Sequence, residues 1–237
     1  MAKVIPDYAI KRLISDIKDL KKNNLSKEGI YYEHDESNIL RGYALIIGPK
    51  GTPYEYGNFL FIFDFPEEYP HIPPVVKFCT NDGIVRFHPN LYRNGKVCLS
   101  ILNTWKGEQW TGCQTIKSTL LTIASILEDK ALLNEPGITE NHKDLLTYDL
   151  IVRYKTIEVA IFKLINKNIY VDEKFEIFDK IIKKNFKENY NNIVNIVNSF
   201  KNVENRQYLS TGVYGMDIKV NKENLLNNLL NLIKKID

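Results

Sequence analysis

The chain has 237 residues, 44% of them hydrophobic and 26% charged, with 32 Lys and Arg against 29 Asp and Glu for a net charge of +3. This is the composition of a folded globular protein with a core of ordinary size, and it excludes a charge-rich disordered chain. The near balance of charge is that of a solvated surface and implies no nucleic-acid partner.

Residues 7 to 22 place Ile10, Leu13, Ile14, Ile17 and Leu20 at helical spacing, with Pro6-Asp7 as a start and Asn23-Asn24 as a stop. Lys11, Arg12, Lys18, Lys21 and Lys22 lie on the opposite face. From residue 28 to 79 the pattern changes to short runs rich in Ile, Tyr, Phe and Val. Residues 30–32, 42–47, 58–65 and 75–79 read as strands, separated by Gly- and Pro-bearing loops at 48–53 and 66–74. Short connections predict an antiparallel meander, and the missing βαβ rhythm argues against a parallel dinucleotide-binding sheet.

After residue 98, residues 115–127 and 146–165 carry helical stripes, with Asn134-Glu135-Pro136-Gly137 as a break between them. Past residue 170 Asn occurs 13 times in 67 residues, against 12 times in the first 170, so the composition shifts there. Phe175 to Phe200 and Leu225 to Ile233 keep a helical rhythm whose apolar face can support ordering, and this segment is expected to be a helical extension that packs on the rest, with binding of a modifier or ligase, or dimerisation, as the alternatives. The predicted class is α+β: an N-terminal helix, a four-stranded antiparallel meander, an active-site loop, then C-terminal helices and the extension. The division falls at 1–168 and 169–237.

The three cysteines, Cys79, Cys98 and Cys113, are odd in number and lack zinc or redox spacing, so neither a disulfide framework nor a metal site is expected. A reducing compartment, cytosol or nucleus, follows. The N-terminal residues have no apolar signal core, and nowhere do about 18 apolar residues run together, so no membrane partner is expected. Cys98 stands eight residues after Asn90 in Phe87-His-Pro-Asn-Leu-Tyr-Arg-Asn-Gly-Lys-Val-Cys98. This spacing brings a thiol, a His-Pro turn, a carboxamide and a glycine-bearing loop together, and the loop favours an exposed thiol.

The order of the pieces resembles the ubiquitin-conjugating enzymes. Gly48-Pro49, then Gly51-Thr-Pro-Tyr-Glu-Tyr-Gly57, then Phe65-Pro-Glu-Glu-Tyr-Pro-His-Ile-Pro-Pro74, then His88-Pro89-Asn90, Cys98 and Trp110 follow that family's sequence over roughly residues 5 to 165. The segment from Cys98 to Trp105 and Trp110 is similar to a subclass with a lengthened loop after the cysteine. That subclass includes an enzyme that accepts a second activating enzyme and a ubiquitin-like protein, and conjugating domains of very large hybrid enzymes.

The resemblance implies that Cys98 accepts ubiquitin or a ubiquitin-like protein as a thioester and passes it to a lysine. Sulfur suits both halves, as nucleophile and as leaving group. Asn90 is expected to donate to the oxyanion or to support the loop, His88 to hold the turn, and Glu135 to orient the incoming lysine. Lys11, Arg12 and Lys18 are expected to dock on the activating enzyme. The family's ligase contacts include an aromatic in the proline-rich loop and a Ser-Pro-Ala stretch after the tryptophan. Here His71-Ile72 and Thr111-Gly112-Cys113 stand there, which implies an atypical ligase. No cofactor is bound directly; ATP and Mg serve the activating enzyme upstream. Two other readings stand beside this one: a non-catalytic ubiquitin-binding domain, and a cysteine hydrolase using Cys98 and His88.

Overall fold

The computed structural model describes residues 5–200 and 208–236. Helix α1 (Asp7–Lys22) opens the fold, and four strands follow: β1 (Ile30–His34), β2 (Arg41–Ile47), β3 (Asn58–Asp64) and β4 (Val75–Phe78). They pair in chain order, β1-β2-β3-β4, all antiparallel, with Ile30 opposite Ile46, Leu45 opposite Leu60 and Phe61 opposite Phe78. The α+β order and the meander therefore stand as expected. Helix α2 (Ile116–Ser125) and helix α3 (Leu145–Ile157) come next, and α3 runs on through a π-helical turn, Glu158–Lys163.

The packing of α1 differs from its apolar spacing. Its buried face is Ala9, Leu13, Asp16 and Leu20, while Ile14 is 40% exposed. Asp16 can be buried because its carboxylate is satisfied: it accepts from Arg12 Nε at 2.9 Å, the Tyr69 phenol at 2.5 Å and the Ile116 amide at 3.3 Å. One carboxylate thus joins α1, the proline-rich loop and the start of α2. That start is fixed again by Thr115, whose hydroxyl accepts from Ser118 N while the Ser118 hydroxyl accepts from Thr115 N.

The inner face of the sheet, with Ala44, Ile46, Phe59, Phe61, Phe63 and Phe78, packs into the main core against the helices. The outer face carries Tyr43, Leu45, Leu60 and Ile62, and these are buried too, under Leu164, Phe175, Phe178 and Ile182. Strands covered on both faces explain the unbroken Phe59-Leu-Phe-Ile-Phe63 run, where a half-exposed strand would alternate.

The segment after residue 168 is more than helical. Helix α4 (Asp179–Ser199) and helix α5 (Lys222–Ile236) bracket a two-stranded hairpin, β5 (Tyr208–Thr211) with β6 (Met216–Lys219). This departs from the helical reading of the tail, because four-residue strands are too short to announce themselves by periodicity. The tail packs on the rest as expected: Phe186, Ile193, Leu209, Ile218 and Leu229 join the main core. A buried polar lock fixes it, in which Asn185 Nδ2 donates to Tyr56 O at 3.0 Å and to Asn58 Oδ1 at 3.1 Å, while Asn58 Nδ2 donates to Ala160 O at 3.0 Å.

Candidate active site

The segment leading to the site is tied down before it begins. The Tyr54 phenol donates to Phe87 O at 2.6 Å and the Tyr148 phenol to Arg86 O at 3.0 Å. Upstream, Lys155 pairs with Asp82 at 3.1 Å and with Glu158 at 2.7 Å. The turn between Asn90 and Cys98 needs its glycine. Gly95 has φ +88°, and a Cβ there would lie 2.8 Å from Phe78 O, the same residue whose amide donates to Gly95 O at 2.8 Å.

His88 is fully buried and its Nδ1 accepts from the Asn90 amide at 2.9 Å. Burial, with Arg86 adding to it, pushes the imidazole down to about 3, so the ring is neutral at physiological pH. Asn90 and Cys98 are bound reciprocally: Asn90 Nδ2 donates to Cys98 O at 2.5 Å, and Cys98 N donates to Asn90 O at 2.9 Å. The carboxamide therefore supports the loop in this state.

Cys98 itself corrects the expectation of an exposed thiol. It is only 2% exposed, and Sγ donates to Thr104 O at 2.7 Å. The cause lies six residues later, where the Thr104 hydroxyl accepts from Leu99 N at 2.9 Å and donates to Val97 O at 3.0 Å. These bonds fold the segment after the cysteine back over the sulfur. No hydrogen bond among the described residues joins His88 to Cys98. An imidazole with so depressed a basicity is a poor proton acceptor at neutral pH, which removes the pair that a cysteine hydrolase needs.

A family model described as ubiquitin-conjugating enzyme matches residues 12–156, a span that holds the whole of this site. The chain belongs to the ubiquitin-conjugating enzyme family. It is 38% identical over 187 residues to ubiquitin-conjugating enzyme E2 Z of Xenopus tropicalis, covering 78% of this chain and 58% of that protein. It is 46% identical over 136 residues to the human E2 Z, covering 56% of this chain and 38% of that protein. The human dual E2 ubiquitin-conjugating enzyme/E3 ubiquitin-protein ligase BIRC6 is 38% identical over 152 residues, which cover 59% of this chain and 3% of that protein. The chain thus spans little more than half the length, or less, of the relatives it matches.

The remaining residues singled out by sequence divide into two sets. Lys11 and Lys18 are exposed on α1, as an interaction face requires. Arg12 is not free for such a face, because it is spent inside the fold: beside its bond to Asp16, Nη1 donates to Gly112 O at 2.6 Å and Nη2 donates to Gln114 O. Arg12 and Trp110 bring the two expected ligase loops together, since Trp110 Nε1 donates to Pro70 O at 2.7 Å. His71, Ile72, Gly112 and Cys113 are all exposed there, with the His71 ring 5.2 Å from that of Tyr8.

Glu135 is drawn into the tail, where Oε2 accepts from the Tyr214 phenol at 2.5 Å. No bond among the described residues links its carboxylate to the Cys98 segment. Sequence reasoning passed over Thr104, Arg86, Arg93 and Tyr214, which shape the site's surroundings. Arg86 and Arg93 lie beside the His88 motif in the sequence, whereas Tyr214 lies far from it. No three His, Cys, Asp or Glu among the described residues gather to hold a metal, and no described helix is long and apolar enough to cross a membrane.

Proposed function

We propose that this chain accepts ubiquitin, or a ubiquitin-like protein, from an activating enzyme as a thioester on Cys98 and passes it to a lysine of a target or to a ligase. The single observation that carries this reading is the reciprocal Asn90–Cys98 pairing at the end of a rigid His88-Pro89-Asn90 turn, inside the span matched by the family. Thioester exchange onto Cys98 is nearly isoenergetic and needs no base. Aminolysis develops an oxyanion, and the second N–H of the Asn90 amide supplies a donor there. His88 holds the turn. The catalytic part is residues 1–168 and the extension 169–237.

The narrower reading, acceptance from a second activating enzyme and carriage of a ubiquitin-like protein, draws support from the lengthened segment after Cys98. Lys11 and Lys18 serve docking on the activating enzyme, and the exposed His71, Ile72, Gly112 and Cys113 serve an atypical ligase. ATP and Mg are consumed upstream, and the reaction is placed in the cytosol or nucleus.

The test is incubation of the full chain with each of a panel of activating enzymes, ubiquitin or a ubiquitin-like protein, and Mg-ATP. A thiol-sensitive adduct is expected with the wild type, and a thiol-resistant ester with Cys98→Ser. No adduct with any activating enzyme would overturn the reading.

A further inference from the structure

We infer that Tyr214, in the turn of the tail's hairpin, is a positioning residue for the turn that carries Cys98. This rests on the reading of Cys98 as the thioester carrier.

The Arg86 guanidinium lies between two rings, Tyr92 with its centroid at 3.8 Å on one side and Tyr214 at 4.2 Å on the other. From that position Arg86 Nη2 donates to Pro89 O, the middle of the His88-Pro89-Asn90 turn. Asn90 comes next and is bonded both ways to Cys98. Arg93, between Asn90 and Cys98, donates from Nη2 to Tyr214 O at 2.7 Å. The tail residue therefore meets the active-site segment on both sides of Asn90.

Tyr214 is itself held from behind. Its phenol donates to Glu135, its ring lies 6.2 Å from that of Tyr148, and the Val213 amide donates to Asp144 Oδ2 at 2.9 Å. Its backbone is left-handed, φ +63° and ψ 2°, a region that a bulky residue occupies only when its surroundings compensate. Gly215 beside it is also left-handed. A glycine at 214 would relieve the backbone, so what the position uses is the side chain. Nε of Arg86 and of Arg93 are both buried without a hydrogen-bond partner among the described residues. The Arg86 guanidinium is thus aimed by the two ring faces more than by a saturated polar network. Removing one ring frees it to turn away from Pro89.

The experiment uses the full chain, with Cys98 loaded by activating enzyme and the thioester then discharged to free lysine. Tyr214→Ala is expected to slow discharge at saturating lysine roughly tenfold, the scale of a small misplacement of reacting groups, with the KM for activating enzyme in the loading step unmoved. Tyr214→Phe keeps the ring and is expected to stay within about twofold of wild type. Tyr214→Leu keeps buried bulk without a ring, guards against simple unfolding, and is expected to match Tyr214→Ala. Combining Tyr214→Ala with Arg86→Ala should be no slower than Arg86→Ala alone, because the two act in series.

Wild-type discharge rates in Tyr214→Ala and Tyr214→Leu, equal losses in Tyr214→Phe and Tyr214→Ala, or multiplying losses in the double variant would each overturn the inference alone. A wild type that never forms the adduct would overturn the Cys98 reading, and this inference with it.

Discussion

Asn90 and Cys98 hold each other through two hydrogen bonds, side-chain amide to carbonyl at 2.5 Å and backbone amide to carbonyl at 2.9 Å. The Asn90 carboxamide carries two N–H groups, so one bond can support the cysteine loop while the other N–H serves the transition state. Structural and chemical roles are therefore separable by substitution.

Asn90→Ala leaves the Cys98 carbonyl without its side-chain donor, and a loss of about 1–3 kcal/mol in unfolding free energy is expected. Discharge to lysine should fall further than loading by activating enzyme. Both steps pass through a tetrahedral oxyanion, but exchange between two thiols is the easier of the two and leans less on its stabilisation. Denaturant titration and single-turnover discharge, measured side by side, check both. Equal losses in the two half-reactions would leave Asn90 with its supporting role alone.

Burial of Cys98 predicts an order of thiol reactivity. Cys113 is exposed, Cys79 is half-buried with burial pushing its thiol up to about 11, and Cys98 is covered. Mass spectrometry after brief iodoacetamide treatment should show Cys113 alkylated first. Thr104→Val, which removes the hydroxyl bonded to Val97 O and Leu99 N, should raise the rate at Cys98. If Cys98 of the wild type reacts as fast as Cys113, the folded-back segment does not shield it in solution.

His88 should make stability depend on pH. Its imidazole is near 6.5 when unfolded and about 3 when folded, so between these values the unfolded chain binds more protons. The contribution is fully present above pH 6.5 and is lost as pH falls toward 3, with a slope approaching about 1.4 kcal/mol per pH unit. Asp149 acts in the opposite sense, because desolvation raises its carboxyl to about 6. The informative quantity is therefore wild type minus His88→Gln, in which Asp149 cancels. Urea midpoints at pH 7 and pH 4.5 should show a smaller drop in the variant; parallel drops would contradict a neutral, buried imidazole.

Asn185→Ala removes the donor to Tyr56 O and Asn58 Oδ1 and leaves both buried acceptors wanting. A loss of about 1–3 kcal/mol is expected, read as a lower melting temperature. The melt should stay a single transition, since α4 and the sheet share one core. Two separate transitions would mean that the tail unfolds on its own.

Much of the architecture was legible because its signals are local. Phe, Ile and Val runs cut by Gly and Pro marked four strands in order, and the apolar stripe over 115–127 marked α2. Features that depend on distant partners were not. Ile14 looked like a core residue and Asp16 did not, yet the carboxylate is buried, since Arg12, Tyr69 and Ile116 satisfy it. The motif around Cys98 located the site, but the cover over its sulfur comes from Thr104 and could not be read from the motif. Arg12 counted as a surface charge until Gly112 and Gln114 claimed its guanidinium. The hairpin at 208–219 lay unseen because strands so short are stabilised by what they touch.

The roof over Tyr43, Leu45, Leu60 and Ile62 makes this molecule one-sided. A visiting protein that sought those strands would meet α4 and the turn before it. It would have to strip Phe175, Phe178 and Ile182 into water first, at about 1.5–3 kcal/mol for each side chain. What stays open to a visitor is elsewhere, on the exposed lysines of α1 and the paired loops around His71 and Cys113.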